Sequence, residues 1–177
     1  MTQKPSTVPS FDELLSSAER SALHLEMRDT YAVKEEAQER RLWESGRWTP
    51  ADGQKALASW MNLVASTTAR GVVVRRARIV SEPVTSYVRY EHALTPLNIE
   101  AGESVRWLAR RRAIGIPLPA ADFWLIDERV VRFNHFSGEG EAVEPEMSHA
   151  ADVVALCSSA FETVWSRAVP HEKYAIS

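Results

Sequence analysis

The stretch LPAADFWLIDERVVRFNHF (118–136) looks like more than scaffolding, and Asp127, Asn134 and His135 are its candidates for chemistry. A carboxylate at a tight turn accepts local backbone N–H groups as readily as it serves a ligand. Asn134 and His135, near the far end of the same hairpin, either bind something or cap a strand. A second set is cationic. Residues 70–112 hold nine arginines (Arg70, Arg75, Arg76, Arg78, Arg89, Arg106, Arg110, Arg111, Arg112) against four glutamates. Guanidinium groups grip phosphate bidentately, so Arg106, Arg110 and Arg111 can clamp an anion with His135 as acid or base.

Other chemistries lack their residues. The seven glycines form neither GxGxxG nor GxxxxGK[ST], so no phosphate cradle is expected. His24, His92, His135, His149 and His171 show no HxH, HxxxH or HExxH spacing, and neither a metal nor a cofactor is expected. Cys157 is the single cysteine, on the apolar face of a helix, and reads as a small buried hydrophobe. No serine nucleophile elbow is present.

The elements that must position these residues follow from local signals. Ser10 and Glu13 have capping-box spacing, which predicts a short helix through about Arg20. Leu23, Leu25 and Met27 alternate with His24, Glu26 and Arg28, the period of a half-buried strand. A charged helix at 34–45 ends at Gly46, and its charges read as a solvated face. Thr49, Pro50 and Asp52 open the next helix, with Leu57, Trp60, Met61 and Val64 on one stripe, ended by Gly71. A strand at 72–80 follows. Ser81-Glu82-Pro83 starts a short helix that Pro96 breaks, and 104–109 is a strand. A loop at 110–119, strand 122–126, turn Asp127-Glu128 and returning strand 129–136 make a hairpin. An acidic loop at 137–147 and a helix at 149–168 complete the chain. The six tryptophans are spread over every element and read as core rather than base-stacking residues.

The expected class is α/β (α+β): a tail at 1–9, a mainly helical segment with a short strand at 10–48, and a sheet domain at 49–177 in the order α-β-α-β-β-β-α. One helix between two strands predicts a parallel pair with a right-handed crossover. Ligands of such sheets sit at strand carboxyl ends. There the Ser81 helix start and the Arg110, Arg111 and Arg112 cluster should share an edge, cradling an acidic partner or a phosphate. The same arginines can instead pair with the acidic loop 139–146.

The 177 residues are 45% hydrophobic and 25% charged, ordinary for a folded protein. Net charge is −2 over 1–69, +5 over 70–112 and −6 over 113–177. These charges can complement one another within one fold or across a homodimer. No apolar run approaches the ~20 residues of a membrane span, and MTQKPSTVPS lacks a signal-peptide core, so a cytoplasmic location without membrane contact is expected.

The blocks HLEMRDTY (24–31), SEPVTSYVRYEH (81–92), AGESVRWLARR (101–111), DFWLIDERVVRFNHF (122–136) and AFETVWSRAVPHEKY (160–174) resemble an uncharacterised actinobacterial family of cytoplasmic proteins. Its members look like products encoded beside helix-turn-helix regulators, which implies a regulatory accessory role with such a regulator as partner. The α/β order from 72 onward, with DFWLID before a turn, is similar to one half of the phospholipase D-like fold. That fold's catalytic motif is HxKxxxxD. Anchored on Asp127, its histidine position falls on Ala120 and its lysine position on Asp122, and Asn134 and His135 stand where a Gly-Ser pair is expected. Alanine cannot attack phosphorus and aspartate repels the anion, so the resemblance implies a non-catalytic version, of the kind that serves as a sensor domain in transcription regulators.

The function expected is therefore a non-enzymatic regulatory accessory protein that binds a helix-turn-helix regulator or a regulatory ligand. One alternative is an enzyme acting on a phosphate-containing substrate. Another is direct nucleic-acid binding through the arginines, against which the pI near 6.0 weighs.

Overall fold

In the computed structural model, which describes residues 8–33 and 36–177, capping residues set the helix starts as their spacing predicts. In helix α1 (Phe11–Ser17) Ser10 Oγ accepts the Glu13 N–H at 3.3 Å and the Glu13 carboxylate takes the Ser10 N–H at 2.8 Å. Thr49 and Asp52 repeat this at the start of α3 (Pro50–Ala69), with Pro50 in the first turn. Between them lies α2 (Ala37–Glu44); the expected residues 34 and 35 of that helix, like 1–7 of the tail, lie outside the described residues.

Strand β1 (Ser21–Glu26) is not an appendage of a helical segment. It lies at the centre of a seven-stranded sheet ordered β6-β5-β4-β1-β2-β3-β7, so residues 10–48 and 49–177 build one sheet. β1, β2 (Val73–Val80) and β3 (Ser104–Ala109) run parallel. β4 (Asp122–Ile126) and β5 (Val130–Asn134) form the expected hairpin, which joins the sheet through β1. Asp127 and Glu128 turn it with φ of 53° and 56°, the two left-handed positions of a tight hairpin turn.

Three local expectations are corrected. Ser81 does not start a helix: a cis Glu82-Pro83 bond follows it, and α4 (Ser86–Glu100) begins where Thr85 Oγ1 accepts the Val88 N–H. The positive helix end therefore lies at Thr85 rather than Ser81. Pro96 does not break α4, because buried Leu94, Thr95 and Asn98 hold the turns around it and outweigh one missing backbone bond. The acidic loop contributes a strand, β6 (Glu146–Ser148), on the outer edge of β5. After α5 (Ala151–Arg167), residues Val169 and Pro170 add β7 to the other edge, an element too short to leave a periodic signal.

The sheet has two different faces. Leu23, Leu25, Ala77, Ile79, Leu108, Phe123, Leu125 and Val131 point to the α5 side and pack on Cys157, Phe161 and Val164. Cys157 is fully buried, and burial pushes its thiol up to about 11. The opposite face, under α1, α3 and α4, is apolar at its margins and charged at its centre. Gly53 of α3 permits the close approach there: a Cβ would sit 2.5 Å from the Trp48 ring and about 3 Å from Leu97 and Leu94 of α4. Among the described residues no helix is long and apolar enough to cross a membrane.

Candidate functional site

The pleat carries the expected site residues to different places. Asp127 lies at the amino ends of the parallel strands, 1% exposed. Its carboxylate accepts the Glu19, Arg20 and Ser21 N–H groups at 3.0, 2.7 and 2.9 Å and Arg129 at 2.9 Å. Burial works against its charge, but these donors outweigh burial and hold its pKa down to about 2. It anchors the entry of β1 to the hairpin turn.

Ser81 and Arg110 do share the carboxyl edge of β2 and β3, and they meet over Asp29. The Asp29 carboxylate takes the Ser81 N–H and hydroxyl, both at 2.7 Å. Arg110 Nε donates to Ser81 Oγ at 3.0 Å, and its terminal nitrogen reaches the Met27 and Ile79 carbonyls at 2.6 and 3.2 Å. The Arg110 guanidinium thus ties together the ends of β1, β2 and β3. Arg111 pairs with Glu82 at 3.1 Å while its side chain stays 79% exposed, and Arg112 is exposed beside it. The partners of Arg110 and Arg111 are Asp29 and Glu82 rather than the acidic loop 139–146. Arg106 points to the other face, where it donates to the Trp165 carbonyl and stacks 4.5 Å from the Trp165 ring.

Asn134 and His135 reach the same end of the sheet as Ser81. A pocket of about 210 Å³ there is lined by Met27, Arg28, Ala120, Asp122, Asn134 and His135. Neither motif position supplies catalysis: Ala120 is a methyl group, and Asp122 is buried with its carboxylate bonded to the Met27 N–H at 2.8 Å and to the Tyr31 hydroxyl. Burial, reinforced by the Glu26 charge, pushes Asp122 up to about 6 despite those bonds. Asn134 Oδ1 accepts from Arg132, and His135 faces Glu146 at 3.3 Å.

A larger cavity, about 310 Å³, lies on the polar face under α1, α3 and α4. The strand register builds its floor. His24 stands between Trp124 of β4 and Arg76 of β2, and Glu26 stands beside Arg78. The His24 and Trp124 rings stack 4.2 Å apart. Arg76 bonds Glu103 at 2.6 Å and Glu26 at 3.0 Å; Arg78 pairs with Glu26 at 2.9 Å and with Glu91 of α4. Asn98 donates to Glu103 at 3.0 Å. Burial opposes both guanidinium charges, and the carboxylates outweigh it, so both pKa values are raised. His24 is driven well below its usual value by burial and by Arg76 and Arg78, so it is a neutral ring. Glu36, which accepts the Tyr87 hydroxyl at 3.0 Å, is pushed up to about 7 by burial and by Glu91. Leu57 and Trp60 of α3 and Phe11 of α1 supply the apolar wall.

None of His24, Glu26, Arg76 and Arg78 stood among the sequence-derived candidates as a set. The signal was present in two separate alternations, Leu-His-Leu-Glu at 23–26 and Arg-Ala-Arg-Ile at 76–79. Polar positions on alternating strands read as a wet face unless the strands are known to be central, where both faces are buried. Among the described residues no group of three or more His, Cys, Asp or Glu is arranged to hold a metal ion.

Comparison with known proteins agrees with this geometry at the level of fold. The chain is similar to the crystal structure of a phospholipase D family member, Nuc from Salmonella typhimurium, with a TM-score of 0.52 and 12% identity over 90% of this chain and 86% of that one. It also aligns with TrmBL2, an archaeal chromatin protein whose structure shows a novel mode of DNA binding, at a TM-score of 0.46 and 12% identity over 89% of this chain and 47% of that one. The chain spans about half the length of TrmBL2. No curated protein matches the sequence. A family model does match, over residues 9–176, and the chain belongs to the family described as domain of unknown function DUF6879.

Proposed function

We propose that the chain is a non-enzymatic regulatory accessory protein: a phospholipase D-like domain that binds a regulatory ligand or a helix-turn-helix transcription regulator and does not cleave phosphodiesters. The observation that carries this reading is Asp122. It occupies the position where the phospholipase D motif, anchored on Asp127, places the phosphate-holding lysine. Its carboxylate is buried and bonded to Tyr31 and Met27, so it cannot hold a phosphate as a lysine at that position would. Ala120 at the histidine position offers nothing to attack phosphorus.

The surface that fits a protein partner is the 3-10 turn Arg110–Ala113 after β3 and the residue beyond it. There Arg111 and Arg112 stand exposed beside Ile114, which is 80% exposed. An apolar tip flanked by guanidinium groups suits an acidic protein surface. Co-purification from the native host tests the reading: a helix-turn-helix protein should accompany the chain, and Arg111→Ala with Arg112→Ala should release it without unfolding. A chain that purifies alone overturns the partner. Phosphodiester or phosphomonoester turnover that disappears in His135→Ala would overturn the non-enzymatic reading.

A further inference from the structure

The segment after α5 returns along the outer side of β3 and is held there mainly by rings. β7 pairs only Val169 and Pro170 with Trp107 and Arg106, and a 3-10 turn (His171–Lys173) follows. Beyond it the Tyr174 ring stacks on Trp107, with centres 5.7 Å apart and planes nearly parallel. Tyr174 and Ile176 pack on the buried cluster of Val80, Val84, Val88, Val105 and Trp107. The Ser177 backbone oxygen accepts the Val84 N–H at 3.2 Å and Arg89 at 3.1 Å. Two histidines stand at the joint. Trp107 Nε1 donates to His171 Nδ1 at 3.2 Å, and the His92 ring of α4 is centred 4.3 Å from the His171 ring. An indole N–H only donates, so this bond needs an unprotonated Nδ1 on His171. Trp107 is fully buried, and its N–H has no water to turn to once that lone pair takes a proton. We propose that His92 and His171 form a pH-sensitive latch, which docks residues 169–177 on β3 and α4 at neutral pH and releases them in acid.

The surroundings set the direction. Burial holds both rings below the usual histidine value; His92 opposes a proton on His171, and Arg78 of β2 opposes one on either ring. The bond of His92 to the Tyr174 backbone and the charge of Glu172 act the other way and do not outweigh burial. Arg78, 5.3 Å from the Trp107 ring centre, is itself paired with Glu26 and Glu91. Glu82, beside the strap, takes the Tyr174 hydroxyl at 2.9 Å and Arg111 at 3.1 Å. Release lets each ring return toward the ordinary 6.5, so the free strap binds protons more readily than the docked one. Docking is therefore fully favoured above 6.5 and loses ground as pH falls below it. No side chain of 169–177 belongs to the apolar core on the α5 face, so that core stays in place on release. What opens is Trp107 and the edge of β3, whose backbone groups then lack a neighbour.

Hydrogen exchange of the full chain at about pH 7.5 and about pH 5, corrected for intrinsic exchange rates, reads the strap directly. Protection across 169–177 should fall about tenfold or more in acid, the effect of one pKa unit, while β1 and α5 keep theirs. His171→Asn gives the indole an uncharged oxygen acceptor and should keep the strap protected at both pH values. His92→Gln removes the second charge and should reduce the fall. Equal protection of the wild-type strap at the two pH values overturns the proposal. So does a fall as large as the wild type's in either variant, or a loss of protection in β1 and α5 alongside the strap. If His171→Asn fails to dock at neutral pH, NMR of the wild type decides. The His92 and His171 ring signals must then share one titration midpoint with the strap amides, and separate midpoints overturn the latch.

Discussion

The α5 face and the α3/α4 face of the sheet use the same strands for opposite purposes. On the α5 side the buried strand positions are aliphatic or aromatic, from Leu23 through Ile79 and Phe123 to Val131, and the helix above offers Phe161 and Val164 in return. Stability there comes from apolar area, at roughly 25 cal/mol per Å² removed from water. On the other side the same strands bury His24, Arg76 and Arg78, with the half-buried Glu26 paired to both arginines. Buried ion pairs recover in attraction about what they lose in desolvation, so this layer adds little net stability. The contrast separates a face held by apolar packing from one held by matched charges.

The strongest challenge to that division is Phe161→Ala. It should cost about 3–5 kcal/mol in denaturant unfolding, through lost burial and a new void. A loss below about 1 kcal/mol would show that the apolar face is not the stabilising one. Next comes Arg78→Met, which strands the Glu91 carboxylate and leaves Glu26 with Arg76 alone, and should cost about 3 kcal/mol. Adding Glu91→Leu should return a large part of that loss, and a double-mutant cycle measures it.

Asp127→Asn, away from both faces, should cost about 2 kcal/mol at neutral pH, since three backbone N–H groups and Arg129 lose a charged acceptor. Its folded pKa, about 2, lies below the ordinary 3.8. Its contribution is therefore present above 3.8 and lost as pH falls through about 2; acid unfolding of the Asn variant should lack that component.

Glu36 has the opposite sign. Its folded pKa, about 7, lies above the ordinary 4.5, so its contribution is full below 4.5 and is lost as pH rises through about 7. Melting temperature should fall across that window in the wild type and fall less in Glu36→Gln. A parallel fall in both would assign the titration to another group of the polar face. The smallest effect belongs to Arg111→Ala with Arg112→Ala, within about 0.5 kcal/mol, because exposed pairs contribute little.

Much of the fold was legible along the chain because its causes are local. The capping boxes at Ser10 and Thr49, the Asp127-Glu128 turn, and the Leu-His-Leu-Glu alternation each depend on atoms a few residues apart. Ser81 and Arg110 were brought to one edge by a parallel crossover, and handedness and order sufficed to foresee that. The role of Asp29 beneath them was not foreseen, because an aspartate just after a strand looks like any loop residue.

The position of β1 could not be read locally. Nothing within residues 21–26 says that its neighbours are 73–78 on one side and 123–126 on the other. That pairing turned His24 and Glu26 from a solvated edge into part of a packed polar layer, and turned Arg76 and Arg78 from a basic surface into neutralised partners. The local chain chose which side chains share a face, since the pleat period is a property of consecutive residues. Which strands lie side by side, and so which charges meet and which cavity forms, was chosen by distant segments competing to cover a common core.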